Sequence, residues 1–412
     1  MSRLAKLLFL SLLDQIVPRS ASQLTGSQLK VSGQSVVDQL LHLSRYSVDP
    51  APAVTRVLFT EADTAARRYV KELFQDAGLK MHEDPMGNIF GRWEGSDSSA
   101  GAVMTGSHCD AIPLSGLYDG TVGVIGGAAA VKALRQAGYA PAKTIEVIMF
   151  TSEEPTRFGL GCIGSRGMAG TLTPEVLDAR PDENGTLFKH AAQQAGYGAS
   201  SHKAILDGTL LKGKRKVDAF VELHIEQGPR LEAEGAAIGV VEEAVLATGA
   251  PDTVGTAGRW DLSPNTVNSV PREASLEVDI RDIDGARRDQ VVAAVRKAAG
   301  AIAGKRKVRH EVEVVNQDDP ATCGSEVTSA VAASVKDLGL SSLQLVSRAY
   351  HDALFMAQIA PSGMIFIPCR HGWSHRPDEY SSPEAIENGV KVLALTLARL
   401  AGQGVDVDRS EL

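Results

Sequence analysis

The chain has 412 residues, of which 43% are hydrophobic and 40 are glycine, and its formal net charge at pH 7 is −8. This length allows two or three domains with large cores, and the composition is typical of an α/β protein. The negative charge gives no reason to expect nucleic acid or an anionic membrane as a partner, and no apolar run approaches the ~20 residues of a membrane span. The four cysteines form no CxxC pair, which favours free thiols over a disulfide framework.

Residues 1–30 are interpreted as a leader or signal-like segment. Arg3 and Lys6 precede an apolar run, LLFLSLL, which Asp14 ends after seven residues. No small-x-small cleavage motif follows, so an amphipathic helix that lies on the domain is the alternative.

The first half of the chain alternates between helical and strand patterns. Apolar spacing predicts helices at 35–46, 61–78 and 121–141 and strands near 79–83, 88–93, 102–106, 144–151 and 217–228. Residues 171–214 are polar and helical in parts. This alternation predicts an α/β fold.

From residue 253 the pattern changes to half-buried alternation. Two alternating strands at 253–260 and 274–282, a helix at 284–304 and a third alternating run at 308–316 predict a small α+β insert. The chain then returns to the main domain near residue 317. There the pattern predicts a helix at 325–338, a strand at 364–368 and a closing helix at 383–401.

Polar residues follow four of the apolar strands, just past their carboxyl ends. They are His108 with Asp119, Glu153 with Glu154, His224 with Glu226, and His375. Ligands bind at this edge of open α/β sheets, so we expect these side chains to meet there. Three imidazoles with two or three carboxylates suit two divalent ions that share a carboxylate and a water.

The adjacent carboxylates Glu153 and Glu154 provide two different roles at such a centre. One can bind metal while the other, not a ligand, acts as general base toward the water. Asp110, two residues from His108, could accept the second N–H of that imidazole and fix its tautomer.

Each element also has a simpler interpretation. Glu153 and Glu154 alone are typical of a solvated helix N-terminus. His224 alone is typical of a hydrogen-bonded core histidine, and His375 of an exposed loop. The coincidence of all of them at the ends of buried strands favours the metal site.

With these residues in place, the chain resembles a known family. The motifs that carry the resemblance are, in order, TGSHCDAIPLSGLYDG, FTSEEPTRFG, ELHIEQGPRLE, DIRDID and SHRPDEYSS. They are similar to those of the metal-dependent amidohydrolases that cleave N-carbamoyl groups: allantoate amidohydrolases, N-carbamoyl-L-amino acid hydrolases and ureidoglycolate amidohydrolases. Three further stretches, SRAYHDALFMA, IFIPCRHGWSH and RPDEYSSPE, resemble the plant-type ureidoglycolate members. The resemblance implies an aminopeptidase-like α/β fold, in which a mixed central sheet is flanked by helices and carries a small α+β lid.

The resemblance also implies roles for individual residues. Glu153 corresponds to the general base. The corresponding metal ligands are His108, Asp119 (bridging), Glu154, His224 and His375. The corresponding substrate-binding positions are Gln227, Asn268, Arg281, Tyr350 and His351. Arg281 could clamp a substrate carboxylate bidentately, or else form a surface ion pair with Asp279 or Asp282.

The activity implied is hydrolysis of (S)-ureidoglycolate to glyoxylate, ammonia and carbon dioxide in purine and allantoin breakdown. Two Mn²⁺ ions per subunit are implied, and the ligand set also accommodates Zn²⁺, Co²⁺ or Ni²⁺. A homodimer is implied, and the endoplasmic reticulum as compartment, with the cytoplasm as alternative. Allantoate or an N-carbamoyl-L-amino acid is the alternative substrate. The enzymes that act on those substrates typically have glycine where this chain has Tyr350, which favours ureidoglycolate.

One departure from the family concerns the lid. Gly239-Val240-Val241 is followed by only EEAVLATGAPD before the next strand, and residues 225–309 contain no histidine. About 40 residues of the family's lid are missing by this comparison, including a histidine that helps hold the tetrahedral intermediate. A catalytically inactive metal-binding form is therefore a further alternative. The predicted domains are the leader, the catalytic domain at 31–240 and 317–412, and a shortened lid and dimerisation domain at 241–316.

Overall fold

The computed structural model describes residue 21, residues 24–241 and residues 253–402. Most of the predicted leader, and the short stretch that replaces the family's lid segment, therefore lie outside the described residues. The described chain forms two compact units, which we call the first unit (21, 24–241, 323–345 and 351–402) and the second unit (253–322 and 346–350). Among the described residues, no helix has both the length and the apolar character that a membrane span requires.

A large mixed sheet forms the centre of the first unit. The strands of this unit are β1 (Val54–Arg56), β2 (Lys80–Glu83), β3 (Ile89–Trp93), β4 (Ala102–His108), β5 (Ala111–Ser115), β6 (Ile145–Phe150), β7 (Val217–Ile225), β8 (Ile238–Val241), β11 (Ser342–Leu345) and β12 (Ser362–Ile367). Eight of them form the central sheet, in the order β11-β8-β12-β7-β4-β6-β3-β2. A separate two-stranded sheet pairs β1 with β5.

Helices cover the two faces of this sheet. They are α1 (Gly33–Leu43), α2 (Glu61–Asp76), α3 (Thr121–Gln136), α4 (Ile163–Ala169), α5 (Pro174–Asp178), α6 (Phe188–Gln194), α7 (His202–Thr209), α8 (Arg230–Glu234), α10 (Ser325–Asp337), α11 (Ala353–Met356) and α12 (Pro383–Ala401). The start of α12 follows from its sequence, because the Ser382 side chain caps it by accepting from the backbone N–H of Ala385 and Pro383 occupies the first turn.

The period of two residues in β7 divides its side chains between the two faces of the sheet. Val221, Leu223 and Ile225 belong to one buried apolar cluster, and Phe220 belongs to another. His224 is of the same parity as Phe220, so it points to that second face and is fully buried. The predicted α/β fold with a mixed central sheet flanked by helices is therefore confirmed.

The four central strands β12, β7, β4 and β6 are neighbours, and each adjacent pair is parallel. Their carboxyl ends consequently lie at one edge of the sheet. This shared edge is what positions the candidate site.

In the second unit, β9 (Val254–Ser263) and β10 (Glu273–Arg281) pair antiparallel, and α9 (Gly285–Arg306) follows. The prediction that these strands are half-buried is wrong, because both are exposed along nearly their whole length and Trp260 is 65% exposed. Alternation predicts a buried face only if another layer covers that face, and no such layer is present among the described residues.

Of the two or three strands that the alternation predicts for this insert, the structure has two, and residues 308–316 do not form the third. These residues follow α9 without helix or strand, and Val308 and Val315 are mostly exposed. A strand is stabilised by backbone hydrogen bonds to a neighbouring strand, and the two described strands of the second unit pair with each other.

Candidate metal centre

The structure brings the polar residues at the strand ends together, except Glu226, whose carboxylate accepts from the backbone N–H groups of Arg230 and Leu231 in α8. His108 is the last residue of β4, and His224 is the last but one of β7. Glu153 and Glu154 follow β6, and His375 lies in the loop after β12. Of the residues brought together, all but His375 are buried.

Two groups of three potential ligand atoms share Asp119. One group is His108, Asp119 and His224, and the other is Asp119, Glu154 and His375; within each group the atoms lie within 4.8 Å of one another. Asp119 Oδ1 lies 3.1 Å from His224 Nε2, and Asp119 Oδ2 lies 2.9 Å from His375 Nε2. Each carboxylate oxygen of Asp119 thus faces a different group, which is the geometry of a bridging ligand.

Backbone carbonyls orient the two buried imidazoles. His108 Nδ1 lies 3.0 Å from the carbonyl oxygen of Asp110, and His224 Nδ1 lies 2.9 Å from the carbonyl oxygen of Ile225. Each Nδ1–H can donate to its carbonyl, which leaves Nε2 of both rings directed to Asp119.

The carboxylate of Asp110 does not make the predicted bond to His108, from which it is separated by 3.7 Å. It accepts instead from the backbone N–H groups of Glu153 and Glu154, at 3.2 and 2.9 Å. The Asp110 carboxylate therefore fixes the turn that carries the two glutamates, and the Asp110 carbonyl oxygen accepts the hydrogen bond from the His108 imidazole.

Glu153 lies beside the two ligand groups without belonging to either. Its Oε2 is 3.7 Å from His108 Nε2, and its Oε1 is 3.6 Å from Cys162 Sγ. Burial, followed by the charges of Glu154 and Asp352, raises the pKa of Glu153 well above its usual range. A carboxyl group that holds a proton readily suits a general base that must later return the proton.

The imidazoles of the site are paired with carboxylates in the structure. Hydrogen bonds to Asp119 and then Glu154 raise the pKa of His375 to about 11. Burial would lower the pKa of His224, but its contacts with Asp119 outweigh burial and raise it to about 9. Burial would likewise raise the pKa of Asp119, yet its bonds to His224 and His375 keep it well below the usual range.

Several non-glycine residues around the site have left-handed backbone conformations. Ser152, Gln227 and His375 have φ values of 57°, 53° and 57°. Such conformations are costly and are frequent at functional sites. At Gly120, with φ of 66°, a Cβ atom would lie 2.3 Å from the His108 ring, so only glycine fits there.

Gln227, predicted to bind substrate, contacts the bridging carboxylate. Its Nε2 donates to Asp119 Oδ2 at 2.9 Å and to Ser374 Oγ at 3.0 Å. Sequence reasoning did not identify Ser374, whose Oγ also lies 2.9 Å from Asp119 Oδ2 and 3.0 Å from Glu379 Oε2. The only sequence signal for Ser374 and Glu379 is that they flank His375 within one motif.

The other predicted substrate residues are divided between the units. His351, in the first unit, is buried with its ring centroid 4.5 Å from that of His224. Asn268, Arg281 and Tyr350 belong to the second unit. Asn268 is exposed.

Arg281 forms an ion pair with Asp279, which was the alternative that the sequence offered to binding a substrate carboxylate. Its Nε and Nη2 donate to Asp279 Oδ2 at 2.9 and 2.6 Å. Its guanidinium carbon lies 5.3 Å from the centroid of the Tyr350 ring, and the Tyr350 hydroxyl lies 2.9 Å from Asp318 Oδ2.

The donor set fits divalent transition metals. Imidazole nitrogens and carboxylate oxygens suit Mn²⁺, Zn²⁺, Co²⁺ and Ni²⁺, whereas a site for Mg²⁺ or Ca²⁺ consists mainly of oxygen ligands. The fold and site together define a metal-dependent hydrolase, built at the carboxyl edge of a mixed sheet.

Comparison with known proteins identifies the family. Residues 104–399 match the model of peptidase family M20/M25/M40, and the chain belongs to this family. A ureidoglycolate hydrolase from Arabidopsis thaliana is 45% identical, over 91% of this chain and 88% of its own length. An N-carbamoyl-L-amino acid amidohydrolase from Geobacillus stearothermophilus is 34% identical, over 90% of this chain and 99% of its own.

A solved structure is also similar. The crystal structure of AtUAH in complex with (S)-hydroxyglycine has a TM-score of 0.85 and 44% identity, and the match covers 91% of this chain and 99% of that one. The predicted resemblance to ureidoglycolate amidohydrolases and the prediction of an amidohydrolase that cleaves C–N bonds are thus confirmed. Use of metal by the chain is supported by the family and by the two ligand groups.

The alignment with the Arabidopsis enzyme contains positions to which no residue of this chain corresponds. The alignment with the Arabidopsis enzyme spans 421 positions but includes only 91% of the 412 residues here, so about 45 positions have no counterpart. The size of this gap agrees with the missing part of the lid that the motifs indicated.

Proposed function

We propose that this chain hydrolyses (S)-ureidoglycolate to glyoxylate, ammonia and carbon dioxide in purine breakdown through allantoin. The observation that carries the proposal is the pair of ligand groups that share Asp119, with Glu153 beside them. The choice of substrate is supported by the 45% identity with the Arabidopsis ureidoglycolate hydrolase.

The role of each residue follows from its position. Two divalent ions, when held by the five ligands, would supply Lewis-acid activation of a water and of the ureido carbonyl. Glu153 accepts a proton from the attacking water and gives it to the leaving ammonia. Asp110 keeps Glu153 and Glu154 in place by accepting from their backbone N–H groups.

The reaction balances with one water. The water oxygen bonds to the ureido carbon, the bond from that carbon to the terminal nitrogen breaks, and the first ammonia leaves. The resulting carbamate loses carbon dioxide, and the remaining hydroxyglycine releases a second ammonia to give glyoxylate. The binding of (S)-hydroxyglycine by AtUAH supports this order of release.

Ammonia release from freshly prepared (S)-ureidoglycolate tests the proposal, with Mn²⁺-loaded protein and allantoate in a parallel reaction. We expect release from ureidoglycolate and little from allantoate. Release from allantoate alone would change the substrate while leaving the chemistry intact. Absence of release from either substrate, with metal bound, would favour the inactive form that the short lid suggests.

The second candidate substrate is an N-carbamoyl-L-amino acid, supported by the 34% identity with the Geobacillus enzyme. Tyr350 is the residue that separates the two candidates, because the resemblance places glycine there in the carbamoyl-amino-acid enzymes. Comparing kcat/KM on both substrates for the unchanged chain and for Tyr350→Gly decides between them.

Three further features are part of the proposal. Mn²⁺ is the proposed native metal, a homodimer the proposed assembly and the endoplasmic reticulum the proposed compartment, all supported by the resemblance to plant-type enzymes. Metal analysis of the protein purified from its source, its mass in solution and cell fractionation test them one by one.

A further inference from the structure

Glu379 is an unusual residue for its position in the loop between β12 and α12. Of residues 370–380, all of which the structure describes, only Glu379 is buried, with 4% of its surface exposed. A buried carboxylate is costly unless donors surround it, so its contacts indicate why it is there.

The carboxylate of Glu379 holds a second loop. Its Oε1 accepts from the backbone N–H of Tyr118 at 2.8 Å and from the backbone N–H of Asp119 at 3.1 Å. Its Oε2 lies 3.0 Å from the hydroxyl of Ser374 in its own loop. One side chain therefore binds the main chain of the bridging ligand and the residue that precedes His375.

The two loops that Glu379 connects carry the metal ligands Asp119 and His375, and these two side chains are in contact. His375 Nε2 and Ser374 Oγ both lie 2.9 Å from Asp119 Oδ2. The strands that lead to these two loops, β5 and β12, belong to different sheets, because β5 pairs only with β1 and β12 is part of the central sheet. The distance between Asp119 and His375 is therefore not set by the sheet ladder alone.

A glycine on the facing loop makes room for Glu379. A Cβ atom at Gly116 would lie 2.4 Å from both Cβ and Oε1 of Glu379. The two loops are thus so close that only glycine fits at residue 116. A larger residue at Gly116 would displace the Glu379 side chain without changing Glu379 itself.

We propose that Glu379 is a positioning residue that sets the spacing of Asp119 and His375, and so the affinity of the metal position formed by Asp119, Glu154 and His375. Glu379 acts through the two loops and belongs to neither of the two ligand groups that share Asp119. The inference rests on the proposed metal-dependent function. It adds that Glu379 controls how tightly one of the two metal positions binds its ion.

The test is titration of metal-free protein with MnCl2, following free Mn²⁺ by electron paramagnetic resonance. We expect two binding steps for the unchanged chain and a 10- to 100-fold weakening of one step in Glu379→Ala, the range typical for loss of a residue that supports a ligand. Glu379→Gln should stay within about threefold, since its amide oxygen can accept both N–H groups and its NH2 can donate to Ser374.

Glu232→Ala is the matched control. Glu232 also holds this loop, by accepting from the backbone N–H of His371 at 2.6 Å, but it has no contact with Asp119. If Glu232→Ala weakens Mn²⁺ binding as much as Glu379→Ala does, general tethering of the loop explains the effect and the proposal is overturned.

Two further results separate the possible failures. Mn²⁺ binding by Glu379→Ala equal to that of the unchanged chain overturns the proposal, whereas no Mn²⁺ binding by the unchanged chain overturns the proposed function instead. Should Glu379→Ala lose its native circular dichroism spectrum, Gly116→Ala carries the test. It must weaken the same step, and unaltered binding in that folded variant would reject the role of Glu379.

Discussion

Asp119 and Glu153 have different environments although both are buried carboxylates at the same sheet edge. Asp119 is in contact with two imidazoles, and its pKa lies well below the usual range. Glu153 faces Glu154 and Asp352 in addition to its burial, and its pKa is raised. Two carboxylates whose pKa values are pushed apart are suited to different roles, here a permanently charged ligand and a carrier of protons.

The first prediction concerns Glu153. Glu153→Gln retains the shape of the side chain but cannot accept a proton, so we expect kcat to fall by about 10²- to 10⁴-fold with Mn²⁺ binding unchanged. Steady-state kinetics on (S)-ureidoglycolate and the Mn²⁺ titration measure the two effects separately. Glu226→Gln, whose carboxylate accepts from backbone N–H groups of α8, is the control and should keep its kcat. Substantial turnover by Glu153→Gln would reject the assigned base.

His224 provides the second prediction. His224→Ala removes one ligand from the group with His108 and Asp119, so bound manganese should fall from two ions per chain to about one. Elemental analysis after gel filtration measures the ratio. His202→Ala is the control, because His202 is also buried but is paired with Asp178, away from the site. A full complement of metal in His224→Ala would count against its role as a ligand.

At the scale of elements, the parts that the sequence predicts best are the buried parallel strands. β4, β6 and β7 are continuous apolar runs, and the polar residues at their ends follow from the rule for open sheets. β1, β5 and β11, of three to five residues, were not predicted, although β2 and β3 of similar length were, because recognition of so short a strand depends on its particular residues. The segment 308–316 has the periodicity of a strand but does not form one in the structure.

The residues of the candidate site also fall into those that the sequence pattern predicts and those that it does not. Residues at the ends of strong strands, such as His108 and Glu154, could be placed from the pattern. Glu379 could not, because the burial of one residue in an otherwise exposed loop depends on another loop some 260 residues away in sequence. Asp110 was recognised as a site residue. The N–H groups from which its carboxylate accepts could not be predicted, because they depend on the bend of the chain after β4.

The turn that begins α3 gives the third prediction. Gly120→Ala places a Cβ atom against the His108 ring and imposes a left-handed conformation that costs an alanine about 1 kcal/mol or more. We expect His108 to be displaced and Mn²⁺ affinity to fall at least tenfold, measured by the same titration. Gly304→Ala in α9 is the control, because a Cβ atom added at Gly304 would meet no neighbouring side chain within 4 Å. Unchanged Mn²⁺ affinity in Gly120→Ala would contradict this account of the turn.

For the whole molecule, metal binding and stability should depend on pH in opposite senses. The pKa of His224 is raised from 6.5 to about 9, so in the metal-free chain its contribution to stability is complete below about 6.5 and is lost as pH rises through about 9. Metal binding requires the neutral imidazole, so Mn²⁺ affinity should rise over the same interval. Thermal unfolding of metal-free protein and Mn²⁺ titrations between pH 6 and 9 measure both. Parallel pH trends in the two experiments would contradict the pairing of His224 with Asp119.

The hairpin of the second unit has an exposed apolar face. It exposes Trp260, Leu262 and Leu276, and about 45 positions of the Arabidopsis enzyme have no counterpart in this chain. The resemblance implies that a lid segment with a histidine donor is missing, and we predict that restoring it would cover this apolar face and supply that donor to the reacting carbonyl oxygen. Loss of one such donor typically lowers kcat by about 10²- to 10³-fold.

Insertion of the relative's segment between Val241 and Thr253 should therefore raise kcat on (S)-ureidoglycolate by about the same factor. It should also reduce binding of a fluorescent apolar dye, because a covered hairpin no longer exposes the Trp260 side chain. A scrambled segment of equal length is the control, since it adds chain without the donor or the matching apolar face. If the inserted chain folds and binds Mn²⁺ but is no faster than the unchanged chain, the short lid does not limit turnover.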